Sequence, residues 1–176
     1  MGPPTVPLYK PRLGGRGLKI KSKDLSLVAV FASLYAVLVY LFAPVSFYAL
    51  QFRIAGIIRP AIARKWILSI GYAIGVLVGN LFSPFAGVYE FVFMPFMSLI
   101  AGILGHIIAK RFDNNYFVAG AVIATIIPLS VSWMLNQLFN LSIFVTLPYL
   151  LISEQTICFI GACIFKPIDA RFKWWY

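Results

Sequence analysis

The chain has 176 residues, of which 61% are hydrophobic and 11% charged, with a formal net charge of +10. A soluble domain carries about half apolar and about a quarter charged residues, so this composition excludes an ordinary soluble domain. Apolar runs of about 20 residues recur, each enough to cross a ~30 Å hydrocarbon core, and no alternating strand pattern suggests a barrel.

The first 23 residues, MGPPTVPLYKPRLGGRGLKIKSK, are basic and rich in Gly and Pro. They lack the apolar centre of a signal peptide and are expected to lie as a cytosolic tail along anionic headgroups. A membrane domain is expected over residues 24–166, and a basic, aromatic tail over residues 167–176. Hydropathy predicts six helices within the domain. The first runs from about Leu25 to Phe42, with Asp24 after Ser22 as its start signal. The second, a short one, covers about Tyr48 to Ala63, and the third about Trp66 to Phe82. The fourth covers about Val88 to Ala109, the fifth about Tyr116 to Leu138, and the sixth about Pro148 to Phe165.

Charge orients these segments. Lys10, Arg12, Arg16, Lys19, Lys21 and Lys23 precede the first; Arg59, Arg64 and Lys65 fall between the second and third. Lys110 and Arg111 fall between the fourth and fifth, and Lys166, Arg171 and Lys173 follow the sixth. With six spans, all these places lie on one side, which the positive-inside rule makes cytoplasmic, together with both termini. The opposite loops, near APVSF, SPFAG and NLSIF, hold no Lys or Arg. Of the 15 cationic residues, only Arg53 is then expected on the outer side. Because the cations flank membrane spans, the net charge points to lipid rather than nucleic acid.

Small residues recur at close spacing: Ala29, Ala32 and Ala36 in the first segment, Gly71, Gly75 and Gly79 in the third, Ala101 and Gly105 in the fourth. In lipid such stripes let helix backbones approach. They serve packing inside one bundle or docking onto a second membrane protein, and the patch from Ala32 to Ala36 is the best candidate for docking. Cys158 and Cys163, five residues apart, are poorly placed to bridge and are expected as buried, reduced packing residues. His106 stands alone near a helix end, and no metal-ligand spacing exists.

Polar residues gather at the expected outer ends: Gln51 and Arg53, Asn80, Tyr89 and Glu90, Asn136, Gln137 and Asn140, Glu154 and Gln155. A charge in hydrocarbon costs at least ~2.5–3.5 kcal/mol and normally faces a partner or a cavity. Two readings follow. Either Arg53 pairs with one glutamate and pins the bundle, or Arg53, Glu90 and Glu154 shape an outward-facing pocket. Two carboxylates against one arginine leave a charge unmatched, which favours a ligand rich in N–H donors or a cation. Glu154→Gln separates the readings: lost affinity with an intact fold marks a ligand carboxylate, and lost stability marks a bundle pair. No nucleophile–base pair or phosphate-cradling loop is present, so no catalysis and no cofactor are expected.

The stretches LFAPVSFYALQFRIAGIIRP, GYAIGVLVGNLFSPFAGVYEFVFMP and LPYLLISEQTICFIG resemble the substrate-binding (S) components of energy-coupling factor (ECF) transporters. Within these, the chain is most similar to the queuosine-precursor transporter (QueT) family. The resemblance spans residues 25–166 and implies an all-α, six-transmembrane-helix bundle of S-component type. It also implies a small ring compound as substrate, and as partners a transmembrane coupling subunit and two ATPase subunits. Gln51, Arg53, Asn80, Tyr89, Glu90, Asn136, Glu154 and Gln155 are the expected substrate-binding residues. Ala32 and Ala36, with Ala29, match the family's docking patch. Glu90 stands where an aspartate is usual, and Gly56 or a neighbour replaces an acidic residue that often follows the arginine.

Overall fold

The computed structural model describes residues 21–44, 53–85 and 87–175. Most of the N-terminal tail, the APVSF loop beyond Pro44, and Gln51 lie outside the described residues. Among those described, five α-helices account for most of the chain: α1 (Ser22–Leu41), α2 (Leu68–Asn80), α3 (Met94–Lys110), α4 (Tyr116–Phe139) and α5 (Ile143–Arg171). A 3-10 helix, Ile54–Ala63, lies between α1 and α2, and a π turn, Tyr89–Phe93, leads into α3. No strand occurs among the described residues.

Helix starts follow local chemistry. Asp24, in the first turn of α1, accepts the Lys21 backbone N–H (3.2 Å). The Asn115 side chain accepts from the Phe117 N–H (2.9 Å) at the start of α4. Asn140 ends α4 in the left-handed region at φ 53°.

Four helical stretches are long and apolar enough to cross a bilayer: Ser22–Leu41, Tyr89–Lys110, Tyr116–Phe139 and Ile143–Arg171. Their outward side chains are greasy, with Val30, Val92, Phe144 and Ile152 at least 63% exposed, as a lipid-facing surface requires. The last helix is longer than expected. It starts at Ile143 and continues through Pro167 to Arg171, so much of the expected C-terminal tail is helical.

The expected second and third spans differ. As far as it is described, the second is a 3-10 helix of 10 residues, and α2 has 13. Each covers about 20 Å, short of a ~30 Å core. Pro60 inside the 3-10 helix has no N–H to donate. The short helix does not need a lipid face, because it is almost wholly buried and touches α1, α2, α3, α4 and α5. It forms the centre around which the longer helices stand.

The glycine stripe of α2 packs inside the bundle. A Cβ on Gly71 would lie 2.8 Å from the Val28 carbonyl oxygen, one on Gly75 2.8 Å from Tyr35 Cβ, and one on Gly79 3.0 Å from Val39 Cβ. Gly105 of α3 likewise faces Ile123 of α4. Cys158 is buried and reduced as expected, whereas Cys163 is exposed, which corrects the expectation that both pack inside.

One end of the bundle collects the cations. Lys65 Nζ reaches Asp24 Oδ1 at 2.6 Å, and Arg64 pairs with Asp169. Arg64 Nε–H also donates to the Tyr116 hydroxyl (3.2 Å). His106 Nδ1 lies 3.1 Å from both the Ile62 and Ala63 carbonyl oxygens. That nitrogen must therefore carry the proton and donate, so His106 caps the end of the 3-10 helix. The start of α1, the end of α3, the start of α4 and the end of α5 thus meet around Arg64 and Lys65.

Candidate functional site

The polar centre is built on the 3-10 helix. Arg59, in its middle, is fully buried. Its guanidinium pairs with Glu154 of α5 and donates to the Tyr35 hydroxyl of α1 at 3.0 Å. It also lies over two rings, 5.8 Å from Tyr35 and 5.2 Å from Tyr72 of α2. Those rings meet edge to face at 5.2 Å. The planar fork suits this role, since one nitrogen takes the carboxylate and another the phenol while the face rests on aromatics. A single cation thereby joins α1, α2 and α5 to the central helix.

Placing Arg59 with the end-of-helix cations, outside the core, is therefore corrected. Glu154 takes its counter-charge from Arg59, the arginine that sequence reasoning missed. One signal was available: two carboxylates against one arginine left a charge unmatched, and Arg59 supplies the second cation.

A stripe on α5 makes this pairing possible. Glu154, Cys158 and Gly161 follow the four- and three-residue steps of one helix face. Cys158 Sγ lies 3.7 Å from the Gly56 carbonyl oxygen, to which its S–H donates. At Gly161 the two backbones nearly touch: an added Cβ would overlap the Ile57 carbonyl oxygen. Gly56 leaves room in turn for the Arg59 guanidinium, whose Nη1 is 3.1 Å from where its Cβ would stand.

The second buried carboxylate is Glu90, in the π turn before α3. It is 3% exposed, and its Oε2 has no hydrogen-bond partner among the described residues. The turn is held from α2, where buried Asn80 donates from Nδ2 to the Glu90 backbone carbonyl at 2.8 Å. One extra residue per turn re-aims side chains, and such turns are frequent at functional sites. Tyr89 lies beside Trp133 and Phe93, with ring centroids 5.9 and 6.4 Å away.

The other expected site residues are placed as follows. Arg53 is buried at the entry to the 3-10 helix. Asn136 donates to the Leu141 carbonyl (2.9 Å), tying the link between α4 and α5. Gln155 turns sideways on α5 and donates to the Ala121 carbonyl (3.2 Å) and Thr125 Oγ1 (3.1 Å) of α4. The described contacts therefore join Asn80 to Glu90 through the π turn and Glu154 to Arg59 at the centre, and they commit Asn136 and Gln155 elsewhere. Among the described residues, no group of three His, Cys, Asp or Glu side chains is arranged to hold a metal ion.

A helical bundle with a lipid-facing apolar exterior, a charge pair at its centre and a second buried carboxylate in the turn before α3 is a polytopic membrane protein built around a polar core. The chain belongs to the QueT transporter family, whose model matches residues 25–170. It is a membrane transport protein rather than an enzyme. No match is found among curated proteins or among solved structures.

Proposed function

We propose that the protein is the substrate-binding subunit of an ECF-type importer, capturing a 7-deazaguanine-type queuosine precursor outside the cell. The observation that carries this reading is Glu90, whose buried Oε2 lacks a partner among the described residues. A buried carboxylate oxygen without a donor is costly, and a ring N–H would satisfy it. A deazaguanine offers adjacent N–H and amino donors that one carboxylate accepts together. Tyr89 supplies an aromatic face for the ring. Asn80 positions Glu90 through the backbone of the π turn. Glu154, held by Arg59, sets the central helix that carries Arg53 at its entry. Other ring vitamins present similar donors and are the nearest alternatives.

Glu90→Gln tests the site. Hydrogen bonds to a charged group contribute ~1.5–3 kcal/mol, so affinity for an aminomethyl-7-deazaguanine should fall roughly tenfold to a hundredfold. Unliganded stability should hold or rise, because an amide is less costly to bury than a carboxylate. Titration calorimetry and melting in detergent read the two effects. Unchanged affinity removes Glu90 from the site. The rival reading, a structural membrane protein without ligand, draws on the Arg59–Glu154 tie, and it predicts no thermal shift with any ring compound.

The energising partners are a coupling subunit in the membrane and two ATPases, with the cationic end of the bundle and both termini in the cytoplasm. Docking is assigned to a groove of about 320 Å³ lined by Ala29, Ala32, Ser33 and Ala36 of α1 and by Ile74 and Val78 of α2. Small side chains there leave room for close helix approach. Ala36→Trp should block co-purification with the coupling subunit while substrate affinity stays within about threefold, under ~0.7 kcal/mol. Ala29→Trp, at an exposed position of the same groove, should do the same. Loss of binding in both variants would make the stripe internal packing instead.

A further inference from the structure

Helix α2 serves both the groove assigned to docking and the turn that holds Glu90. Ile74 and Val78 are exposed and line the groove with Ala32 and Ala36 of α1. Asn80, buried in the last turn of α2, donates from Nδ2 to the Glu90 carbonyl at 2.8 Å. At about 100° per residue, Val78 and Asn80 stand about 200° apart, on opposite faces of the helix. Helices α1 and α2 are interlocked, since a Cβ at Gly71, Gly75 or Gly79 would come within 2.8 to 3.0 Å of α1 atoms. Pressure on one is therefore carried by the other. The Asn80 bond also fills a gap in the ladder. In the π turn the Met94 N–H goes to the Tyr89 carbonyl, so the next donor in register, for the Glu90 carbonyl, would be residue 95. That residue is Pro95, which has no N–H.

We propose that Asn80 is a positioning residue that couples docking to ligand affinity, which rests on substrate capture at Glu90 and docking on α1 as read above. N–H···O bonds extend to about 3.2 Å, so a displacement of α2 by ~0.5 Å would break this one. Breaking it strands a donor and an acceptor in the core, which is costly. The π turn therefore follows α2 when a partner helix presses into the groove, and Glu90 is re-aimed with it. An importer that captures its cargo outside must hold it less tightly once docked. A ligand with different affinity for the two states produces that coupling.

The test uses the full chain in nanodiscs, alone and with the coupling subunit and both ATPases, without nucleotide. With no ligand present, docking should change hydrogen–deuterium exchange of the Tyr89–Phe93 amides about threefold or more. The Kd for aminomethyl-7-deazaguanine should rise about tenfold or more on docking. In Asn80→Ala both ratios should fall to near one. Each ratio compares docked and free forms of the same variant, so a general loss of stability or affinity cancels. Asn80→Leu, which refills the space, is the second variant, and the exchange comparison on the unaltered chain stands without either. Unchanged exchange on docking, or the same ratios in parent and variants, would overturn the inference. Docking-dependent exchange without binding of the deazaguanine would remove the substrate reading alone and leave the coupling of α2 to the turn standing. Failure to form any complex would overturn the docking reading and the inference together.

Discussion

Glu154→Gln should destabilise the bundle by about 3–5 kcal/mol, because removing one partner of a buried ion pair leaves the other uncompensated. Arg59 is fully buried, and its nearest compensation beyond Glu154 is a neutral phenol and two ring faces. Neither replaces a full negative charge. Arg59→Met should cost a similar amount by stranding Glu154, which is 4% exposed. The double variant, Arg59→Met with Glu154→Met, should lose less than the sum of the singles, since neither charge then remains buried alone. Melting in detergent across the cycle measures this. A single variant within ~0.5 kcal/mol of the parent would mean that water or another group already compensates the charge. Substrate affinity separates the two roles open to Glu154. If the carboxylate only anchors Arg59, affinity in the folded fraction stays near that of the parent; direct contact with the ligand lowers both.

Gly161→Ala should be the most damaging small substitution in α5. In a helix the change from Gly to Ala ordinarily gains up to about 1 kcal/mol. Here the new Cβ would overlap the Ile57 carbonyl oxygen and stand 2.8 Å from its carbonyl carbon and 3.1 Å from its Cα. These are backbone atoms of the central helix, so no side chain can swing aside. Relief requires that helix to retreat from α5, which pulls Arg59 away from Glu154. Overpacking alone costs about 1–3 kcal/mol, and strain on the ion pair adds to it. Gly87→Ala is the control: its Cβ would meet only the Phe85 carbonyl oxygen at 3.7 Å, an ordinary contact. It should stay within ~0.5 kcal/mol of the parent. Equal melting temperatures for the two variants would show that the central helix has room to move.

The membrane class and the long helices were legible because they rest on local quantities. Hydropathy over about 20 residues marks a span wherever the neighbouring helices sit. Hence the helices around Val30, Ala101, Ile123 and Ile157 all lie in expected segments. The clustering of cations at helix ends is local too, and Arg64, Lys65 and His106 do meet at one end. Both candidate carboxylates were visible for the same reason, since Glu90 and Glu154 stand in otherwise apolar stretches where ionisable residues are rare.

Arg59 was not legible, and neither was the role of the segment that carries it. In sequence it lies five residues before Arg64 and so groups with the end-of-helix cations. A 3-10 helix rises about 2 Å per residue, so those five residues put Arg59 about 10 Å deeper than Arg64. Its partner Glu154 is 95 positions away, a separation that leaves no local trace. Composition and hydropathy determine that this chain lives in a bilayer and where its four long helices run. Only the tertiary structure decides that a ten-residue helix sits at the centre, because that placement depends on close approach at Gly56 and Gly161 and on one buried charge meeting another. A window of sequence records how apolar a segment is; which surface covers it is a property of the packed whole.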